Sequence, residues 1–359
     1  MRVDSIKLAG WRNFKKEQLF PAPGINLVVG KNGQGKTNLL ESVYFLSTGF
    51  SPRINKKEEL INHKNDYLYV SAKATLSNSE SVLVEMGLHR DSRRVNKLNG
   101  SPVNRLGEIA GQIRSVLFVP EDMDMVKGGP ARRRRFMDLE ICQLDGSYRH
   151  SLERYRRVLQ QRNALLKFSV VDKTLLAVLS EKMIKLGLEI SYKRRDFVKK
   201  LNLLARLRHR RLSDGTEELA LCYAPSFCLE EGEKGVEEQV CEKAKQEKIQ
   251  RTTLVGPHRD DMIFLLAKEE LRSYGSQGQQ RTAVLAIKLA EVELFFAQTG
   301  ELPVLLLDDV FSELDQARRR LLMECLPRGI QAIITATEPL PEISPQKTFS
   351  VKAGQIKDF

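Results

Sequence analysis

The stretch Gly30-Lys31-Asn32-Gly33-Gln34-Gly35-Lys36-Thr37 decides the fold. It fits G-x-x-x-x-G-K-[ST]. The apolar run Ile25-Asn26-Leu27-Val28-Val29 leads into it, and Asn38-Leu39-Leu40-Glu41-Ser42-Val43 reads as the start of a helix. This is the strand–loop–helix context that a phosphate loop requires. Glycines let backbone N–H groups turn inward around a phosphate, and the helix N-terminus adds partial positive charge. All eight residues then cradle a triphosphate. Lys36 reaches the β- and γ-phosphates, and the Thr37 hydroxyl ligates Mg²⁺. The expected cofactors are ATP and Mg²⁺.

Such a loop works with a carboxylate at the end of a buried strand, which holds the metal through its water shell. Leu305-Leu306-Leu307-Asp308-Asp309 supplies it. Asp308 is the metal-side candidate, beside Thr37. Asp309 stands where related ATPases often place a Glu that polarises the attacking water, and Asp is one methylene shorter. Lys36, Asp308 and Asp309 are thus the candidate catalytic residues. A third piece, Tyr274-Gly275-Ser276-Gln277-Gly278-Gln279-Gln280-Arg281, directly precedes a long helix. It puts Ser276, the Gly278 backbone and Gln279 at a helix N-terminus, again an anion-binding arrangement. A helix cap by Ser276 is the plainer reading of the same residues. About 270 residues separate the phosphate loop from the Asp308 strand. One nucleotide-binding domain is therefore split by an insertion.

The chain has 359 residues, enough for two or three domains. Its 42% hydrophobic and 29% charged composition is that of a soluble globular protein and excludes disorder and collagen-like repeats. No apolar run approaches the ~20 residues of a membrane helix. The first residues, MRVDSIKLAGWRNFKKEQLF, lack a secretory apolar core. Five cysteines without a C-x-x-C pair argue for reduced thiols, against a disulfide framework and against a zinc site. The expected location is the cytoplasm.

Residues up to about 120 read as short strands, among them Val70 to Leu76, Val82 to Leu88 and Val116 to Val119, with an Asn99-Gly100 hairpin turn. From 131 to 211 the period is helical. Leu152, Tyr155, Leu159 and Leu166 form one stripe. Leu179, Met183, Leu186 and Ile190 form another, continued by Phe197, Leu201 and Leu204. A break near Phe168–Asp172 predicts two long helices in an antiparallel hairpin. Residues 212–250 read as acidic and irregular, with a strand over Cys222 to Leu229. A helix from Ser276 to Thr299, ending at Gly300, follows. The fold class is α/β: a split ATP-binding head over 1–122 and 251–359, with an inserted, mainly helical arm over 123–250.

The net charge of +12 has a location. Residues 131–211 hold 22 Lys+Arg against 8 Asp+Glu, a net of +14, while 212–250 hold 4 against 10, a net of −6. Arg132, Arg133, Arg134 and Arg135 are the densest run. Lys193, Arg194, Arg195, Lys199, Lys200, Arg206, Arg208, Arg210 and Arg211 decorate the second helix. Arg132 to Arg135, Arg194, Arg195, Lys199 and Lys200 are the candidate DNA contacts. Such residues neutralise backbone phosphates rather than read bases. Few aromatics interleave with them, which disfavours a single-strand stacking platform as the main mode and favours sequence-independent binding to duplex or to a duplex–single-strand junction.

The three motifs in this order resemble an ABC-type ATPase head, and their wording resembles the RecF family of bacterial recombinational repair proteins. Leu8-Ala9-Gly10-Trp11-Arg12-Asn13-Phe14, the phosphate loop through Glu41, Phe118-Val119-Pro120-Glu121-Asp122 and Lys127-Gly128-Gly129-Pro130 carry the resemblance. So do Asp138, Gly256-Pro257-His258-Arg259-Asp260-Asp261, Ser276-Gln277-Gly278-Gln279-Gln280-Arg281 and Leu306 to Asp315. The resemblance implies a homodimer formed when ATP is bound, in which Ser276 and Gly278 of one subunit close on the γ-phosphate held by Lys36 of the other. It implies slow, DNA-dependent hydrolysis that resets the clamp. It also implies action on DNA at gaps and stalled forks with RecR and RecO, loading of RecA, and support of the SOS response.

Several positions keep two readings. Thr335 and Thr337, in Ile333-Ile334-Thr335-Ala336-Thr337, stand where transporter ATPases carry a switch His, or are ordinary strand-end packing. Gln112 is a γ-phosphate sensor or surface. Arg12 and Asn13 approach the nucleotide or do not. His258 to Asp261 form a functional motif or a salt-bridge network. The alternatives for the whole chain are a chromosome-organising ATPase, whose coiled coil would be far longer, a transporter ATPase subunit, and a clamp that binds ATP without turnover.

Overall fold

Alternation of Val3, Ile6 and Leu8 with polar neighbours makes β1 (Arg2–Trp11) a strand with one buried face. The structure is a computed structural model that describes residues 1–54, 57–168, 170, 172–213, 215 and 217–359. After β1 come β2 (Phe14–Leu19), β3 (Ile25–Val29), α1 (Lys36–Thr48), β4 (Tyr67–Thr75), β5 (Ser81–His89), β6 (Arg94–Leu98), β7 (Ser101–Pro102) and β8 (Ser115–Phe118). The chain continues through α2 (Met123–Lys127), α3 (Pro130–Leu144), α4 (Gly146–Leu165), α5 (Lys173–Leu212), β9 (Leu219–Ala224), α6 (Gly232–Gln250), β10 (Asp261–Leu266), β11 (Glu269–Glu270), α7 (Leu271–Tyr274) and α8 (Gln277–Thr299). It closes with β12 (Val304–Asp308), α9 (Gln316–Glu324), β13 (Ala332–Ala336), β14 (Lys347–Lys352) and β15 (Gln355–Asp358).

Two compact units result: residues 1–122 with 285–359, and residues 123–284. The first unit holds two six-stranded sheets. One is antiparallel in the order β2-β1-β4-β5-β6-β7. Asn99 and Gly100 join β6 to β7 with φ of 51° and 80°, the left-handed pair of a type I′ turn. The other has the order β15-β14-β3-β13-β12-β8. All its pairings are parallel except that of the edge strand β15. Parallel strands covered on both faces are apolar throughout, and every residue of β8, β12 and β13 is buried. Helix α1 lies between the sheets, touching β1, β4 and β5 of one and β8, β12 and β13 of the other.

The second unit is built on α4 and α5. Asp145 meets Lys193, Tyr148 meets Arg194, and Arg162 meets Ser180, a descending register that makes the pair antiparallel. Leu152, Tyr155, Leu166, Leu179, Met183, Leu186, Ile190, Phe197 and Leu201 are all buried along it. Two expectations change here. Residues 212–250 are not irregular: α6 fills 232–250. Its apolar stripe is little more than Val236 and Val240, too narrow to announce a helix against nine charged neighbours. The strand read over Cys222 to Leu229 is β9, which begins at Leu219 and ends at Ala224. Residues 251–284 cluster with the helices of this unit, since β10 pairs with β9 along its whole length.

The centre of this unit is polar. Arg194 is 2% exposed and donates to Asp138 at 2.7 Å, Asp260 at 2.8 Å, and the Pro257 carbonyl at 2.6 Å. Tyr148 donates to Asp138 at 2.5 Å, and Tyr223 donates to Asp260. Arg133 grips Asp261 with two bonds of 2.6 and 2.8 Å. Arg162 and Glu247, both buried, pair at 2.6 Å. Asp260 and Asp261 are thus held in a salt-bridge network.

Removing one partner from such a network leaves buried charge uncompensated, which costs about 3–5 kcal/mol. Arg194→Ala is therefore expected to lower the urea midpoint by that equivalent, whereas Lys199→Ala on the exposed face changes it by less than ~0.5 kcal/mol. Equilibrium unfolding of both variants checks this. A second expectation concerns pH. His258 Nε2–H donates to the Thr253 carbonyl at 3.1 Å, and Nδ1 accepts from Tyr155 at 2.7 Å. Burial lowers its pKa to about 4 and the Arg259 cation adds to this, against the Thr253 carbonyl. The unfolded chain, with a His near ~6.5, binds the proton first. The neutral ring's contribution is therefore present above pH ~6.5 and is lost as pH falls toward 4. His258→Gln should flatten that limb of the stability–pH curve measured by urea unfolding.

Candidate nucleotide site and basic helical face

Gly30 to Gly35 leave the end of β3 and turn into α1. Gly35 has φ 118°, and a Cβ there would meet the Asn13 amide at 2.5 Å. Only glycine fits the turn. Lys31, Asn32 and Gly33 form the exposed crown of the loop. The Lys36 ammonium is buried and donates to the carbonyls of Gly30 at 2.5 Å and Lys31 at 3.2 Å. Burial lowers its pKa, and the nearby Asp309 and Asp308 charges raise it.

Strand pairing delivers the carboxylates. β13 pairs with β3 on one side and β12 on the other, and Thr335 stands opposite both Val28 and Asp308. Thr335 is buried. Its hydroxyl donates to Asp308 Oδ1 at 2.8 Å and accepts from the Asp309 N–H at 2.9 Å. Asp308 also accepts a hydrogen bond from the Thr37 side chain. Burial raises the Asp308 pKa, while the Thr335 and Thr37 hydroxyls lower it. Asp309 has φ 52°, a left-handed conformation that Asp tolerates, and its carbonyl accepts from both the Ser312 N–H and hydroxyl. Thr335 is thus more than strand-end packing: it ties the Asp308 carboxylate to the Asp309 backbone. Lys36, Thr37, Asp308 and Asp309 come together in one place.

Residues far along the chain brace the loop. Asn13 donates to the Gln34 carbonyl at 2.7 Å and accepts from Asn38 at 2.8 Å. Arg12 holds Glu41 with two bonds, and Ser51 also donates to Glu41. Ala353 and Gly354, in the β14–β15 turn, donate their N–H groups to the Gln34 side chain and carbonyl. Arg12 and Asn13 therefore pack on the phosphate loop and its helix. The β14–β15 turn carried no motif and was legible only from strand pairing. Gln112 bonds the Glu108 carbonyl at 3.1 Å, a local contact.

In the other unit, Ser276, Gly278 and Gln279 start α8. The Gln279 N–H donates to Ser276 Oγ at 3.2 Å, and the Ser276 N–H donates to Gln279 Oε1 at 2.7 Å. This is a reciprocal capping box. The Ser276 hydroxyl hydrogen has no partner among the described residues.

Of the eight arginines and lysines read as DNA contacts, two are not at the surface. Arg133 and Arg194 are buried in the network above, because Asp261, Asp138 and Asp260 need their charge. Arg134 is half-buried and donates to the Asp260 carbonyl, and Arg135 is half-buried. Arg132, Arg195, Lys199 and Lys200 are exposed, and α5 continues that face with Arg206, Arg210 and Arg211. Lys200 pairs with Asp196 at 2.7 Å, and Arg195 lies over the Tyr192 ring. No helix of the described residues is long and apolar enough to cross a membrane.

Comparison with known proteins agrees with this geometry. The family model described as RecF/RecN/SMC N terminal domain matches residues 2–353. A DNA replication and repair protein RecF from Alkaliphilus oremlandii is 40% identical over 366 residues, covering 99% of this chain and all of that protein. A solved structure of the recombination mediator protein RecF with ATP, in the RecFOR pathway, superposes with TM-score 0.93 at 33% identity, over 100% of this chain and 97% of that one. An Smc head bound to the C-winged helix domain of ScpA gives TM-score 0.60 at 15% identity, over 100% and 97% of the two chains, a likeness of fold alone.

The Thr335 bridge yields a test. Thr335→Val keeps the shape and leaves Asp308 Oδ1 and the Asp309 N–H without their partner, a loss of ~1–3 kcal/mol. Titration with a fluorescent ATP analogue and Mg²⁺ should show roughly tenfold weaker binding for Thr335→Val. Thr335→Ser, which restores the hydroxyl, should bind near the parent.

Proposed function

Because this chain belongs to the RecF family, we propose that it is an ATP-controlled DNA-binding protein of replication and recombinational repair. The observation that carries the reading is the convergence of Lys36, Thr37, Asp308 and Asp309, brought from opposite ends of the chain by three parallel strands. Gly30 to Thr37 bind the triphosphate of ATP, as the RecF–ATP relative supports. Thr37 and Asp308 fit a Mg²⁺ ion: both offer hard oxygens, already within hydrogen-bonding reach of each other. Mg²⁺ takes few protein ligands and completes its shell with phosphates and water. Such an ion supplies neutralisation of phosphate charge. Asp309 orients and polarises the water that attacks the γ-phosphate, and slow hydrolysis resets the protein.

Two copies dimerise on ATP. Ser276, Gly278 and Gln279 of one copy take the γ-phosphate held by Lys36 of the other. The capping box is compatible with that role, since Ser276 accepts from Gln279 and keeps its own hydroxyl hydrogen for a phosphate oxygen. DNA is held through backbone phosphates by Arg132, Arg195, Lys199 and Lys200, extended by Arg206, Arg210 and Arg211, at gaps or junctions and without base reading. The RecFOR setting of the solved relative supports RecR and RecO as partners. The family resemblance extends this to RecA loading and the SOS response, in the cytoplasm.

If ATP joins two basic faces, the number of neutralised phosphates rises. The slope of log affinity against log salt, about −0.9 per phosphate, should then steepen with ATP. Fluorescence anisotropy on a gapped duplex, across a salt series with and without ATP and Mg²⁺, measures this. Equal slopes would sink the dimer reading. Lys36→Ala should abolish ATP binding and leave the shallow slope unchanged.

A further inference from the structure

The antiparallel sheet of the first unit has two faces. One is packed on the core through Val3, Ile6, Leu8, Val70, Val84 and Met86. The other is concave and holds a pocket of about 550 Å³. Register places Ala9, Tyr69, Gly87 and Val95 in one row across β1, β4, β5 and β6, and Lys7, Ser71, Glu85 and Lys97 in the next. Tyr67 and His89 stand opposite each other at the rim. The floor thus includes two small groups, Ala9 and Gly87. The walls are aromatic: Tyr67 is 52% exposed, and Tyr69 and His89 are half-buried. Val95 is 58% exposed beside them. A hollow with exposed rings and a small-residue floor is shaped for a planar group.

The charge around the pocket is one-sided. Lys7, Lys16, Lys73 and Lys97 stand on this face, Lys16 opposite Ala9 and Lys73 opposite Leu83. They form no ion pair among the described residues. The acids beside it are engaged, Asp4 by the Thr75 hydroxyl at 2.6 Å and by Arg2 at 3.2 Å. Glu85 accepts from the Tyr69 hydroxyl at 2.6 Å, and Asp91 pairs with Arg93 at 2.7 Å and His89 at 3.0 Å. Aromatic rings within a field of unpaired lysines match one occupant, a polyanion whose bases are free to stack. In a duplex the base faces are already covered by their neighbours. Stacking on protein rings therefore selects unpaired nucleotides.

We infer that the outer face of β1, β4, β5 and β6 is a second nucleic-acid site, which takes single-stranded nucleotides by stacking a base on Tyr67 and Tyr69 while Lys7, Lys16, Lys73 and Lys97 hold the phosphates. This site is separate in chemistry from the basic face of α5. It deepens the proposed function and rests on it: α5 contacts duplex phosphates, and the sheet contacts unpaired nucleotides.

The test measures anisotropy of the full chain with two labelled probes, an oligothymidylate of about 20 nucleotides and a blunt duplex of matching length. Base–aromatic stacking of ~1–3 kcal/mol corresponds to a loss of about 5- to 150-fold. Tyr67→Leu should lose oligothymidylate affinity in that range and change duplex affinity by less than twofold. Tyr67→Phe, which keeps the ring, should bind near the parent. Lys199→Glu with Lys200→Glu should show the reverse pattern. Tyr67 is exposed enough that its variants keep the fold, which circular dichroism verifies. Parental oligothymidylate binding by Tyr67→Leu would overturn the inference, as would equal competition by polyglutamate. Duplex binding without oligothymidylate binding would overturn it too, while leaving the proposed function standing. Loss of duplex binding alone would count against the α5 reading and not against this one.

Discussion

The parallel pairing of β3, β13 and β12 is the constraint on which the nucleotide site depends. A phosphate loop and its metal-side carboxylate must meet within a few ångströms, yet here they lie about 270 residues apart in the chain. Hydrogen-bonded strands solve the problem because adjacent strands lie ~4.8 Å apart and end at a common edge. With β13 between them, the ends of β3 and β12 are held at a fixed separation, and the strand that separates them contributes Thr335 to the gap. The same edge receives the β14–β15 turn, which braces Gln34 from the far side. Any relative shift of these strands by one residue would turn Asp308 to the opposite face of the sheet.

The second unit is organised by a different force. Its helices bury apolar stripes in the ordinary way, but its centre holds Arg194, Arg133 and Arg162 against Asp138, Asp260, Asp261 and Glu247. Buried ions of this kind add little net stability over apolar packing, and they specify which partners meet. They also sort the positive charge. A net of +14 over 131–211 overstates what the surface offers, because several arginines are neutralised internally. The exposed positive charge includes Arg195, Lys199, Lys200, Arg206, Arg210 and Arg211 on α5, Arg154 and Arg157 on α4, and Arg132.

Much of this was legible in the residues alone. The strand before Gly30, the helix after Thr37, the α4–α5 hairpin and the α8 terminus at Gly300 each follow from period and local chemistry, and the structure has them in place. α6 was not legible, because Val236 and Val240 are too slight an apolar stripe to outweigh the acidic residues around them. The paired tyrosines of β4 were not legible as a surface either. Alternation tells which residues share a face, and only the register with β5 and β6 tells which faces make a hollow.

The sequence by itself determined what each motif can do. A Gly-rich loop before a helix binds phosphate because its backbone N–H groups and helix dipole converge, a property of a few adjacent residues. Tertiary structure decided which residues do it together. It put Thr335 between Asp308 and Asp309, withdrew Arg133 and Arg194 from the surface, and set Ser276 in a capping box. These outcomes turn on burial and on partners distant in the chain. A charge exposed to water and a charge facing a buried carboxylate are the same letter in the sequence and opposite in their chemistry.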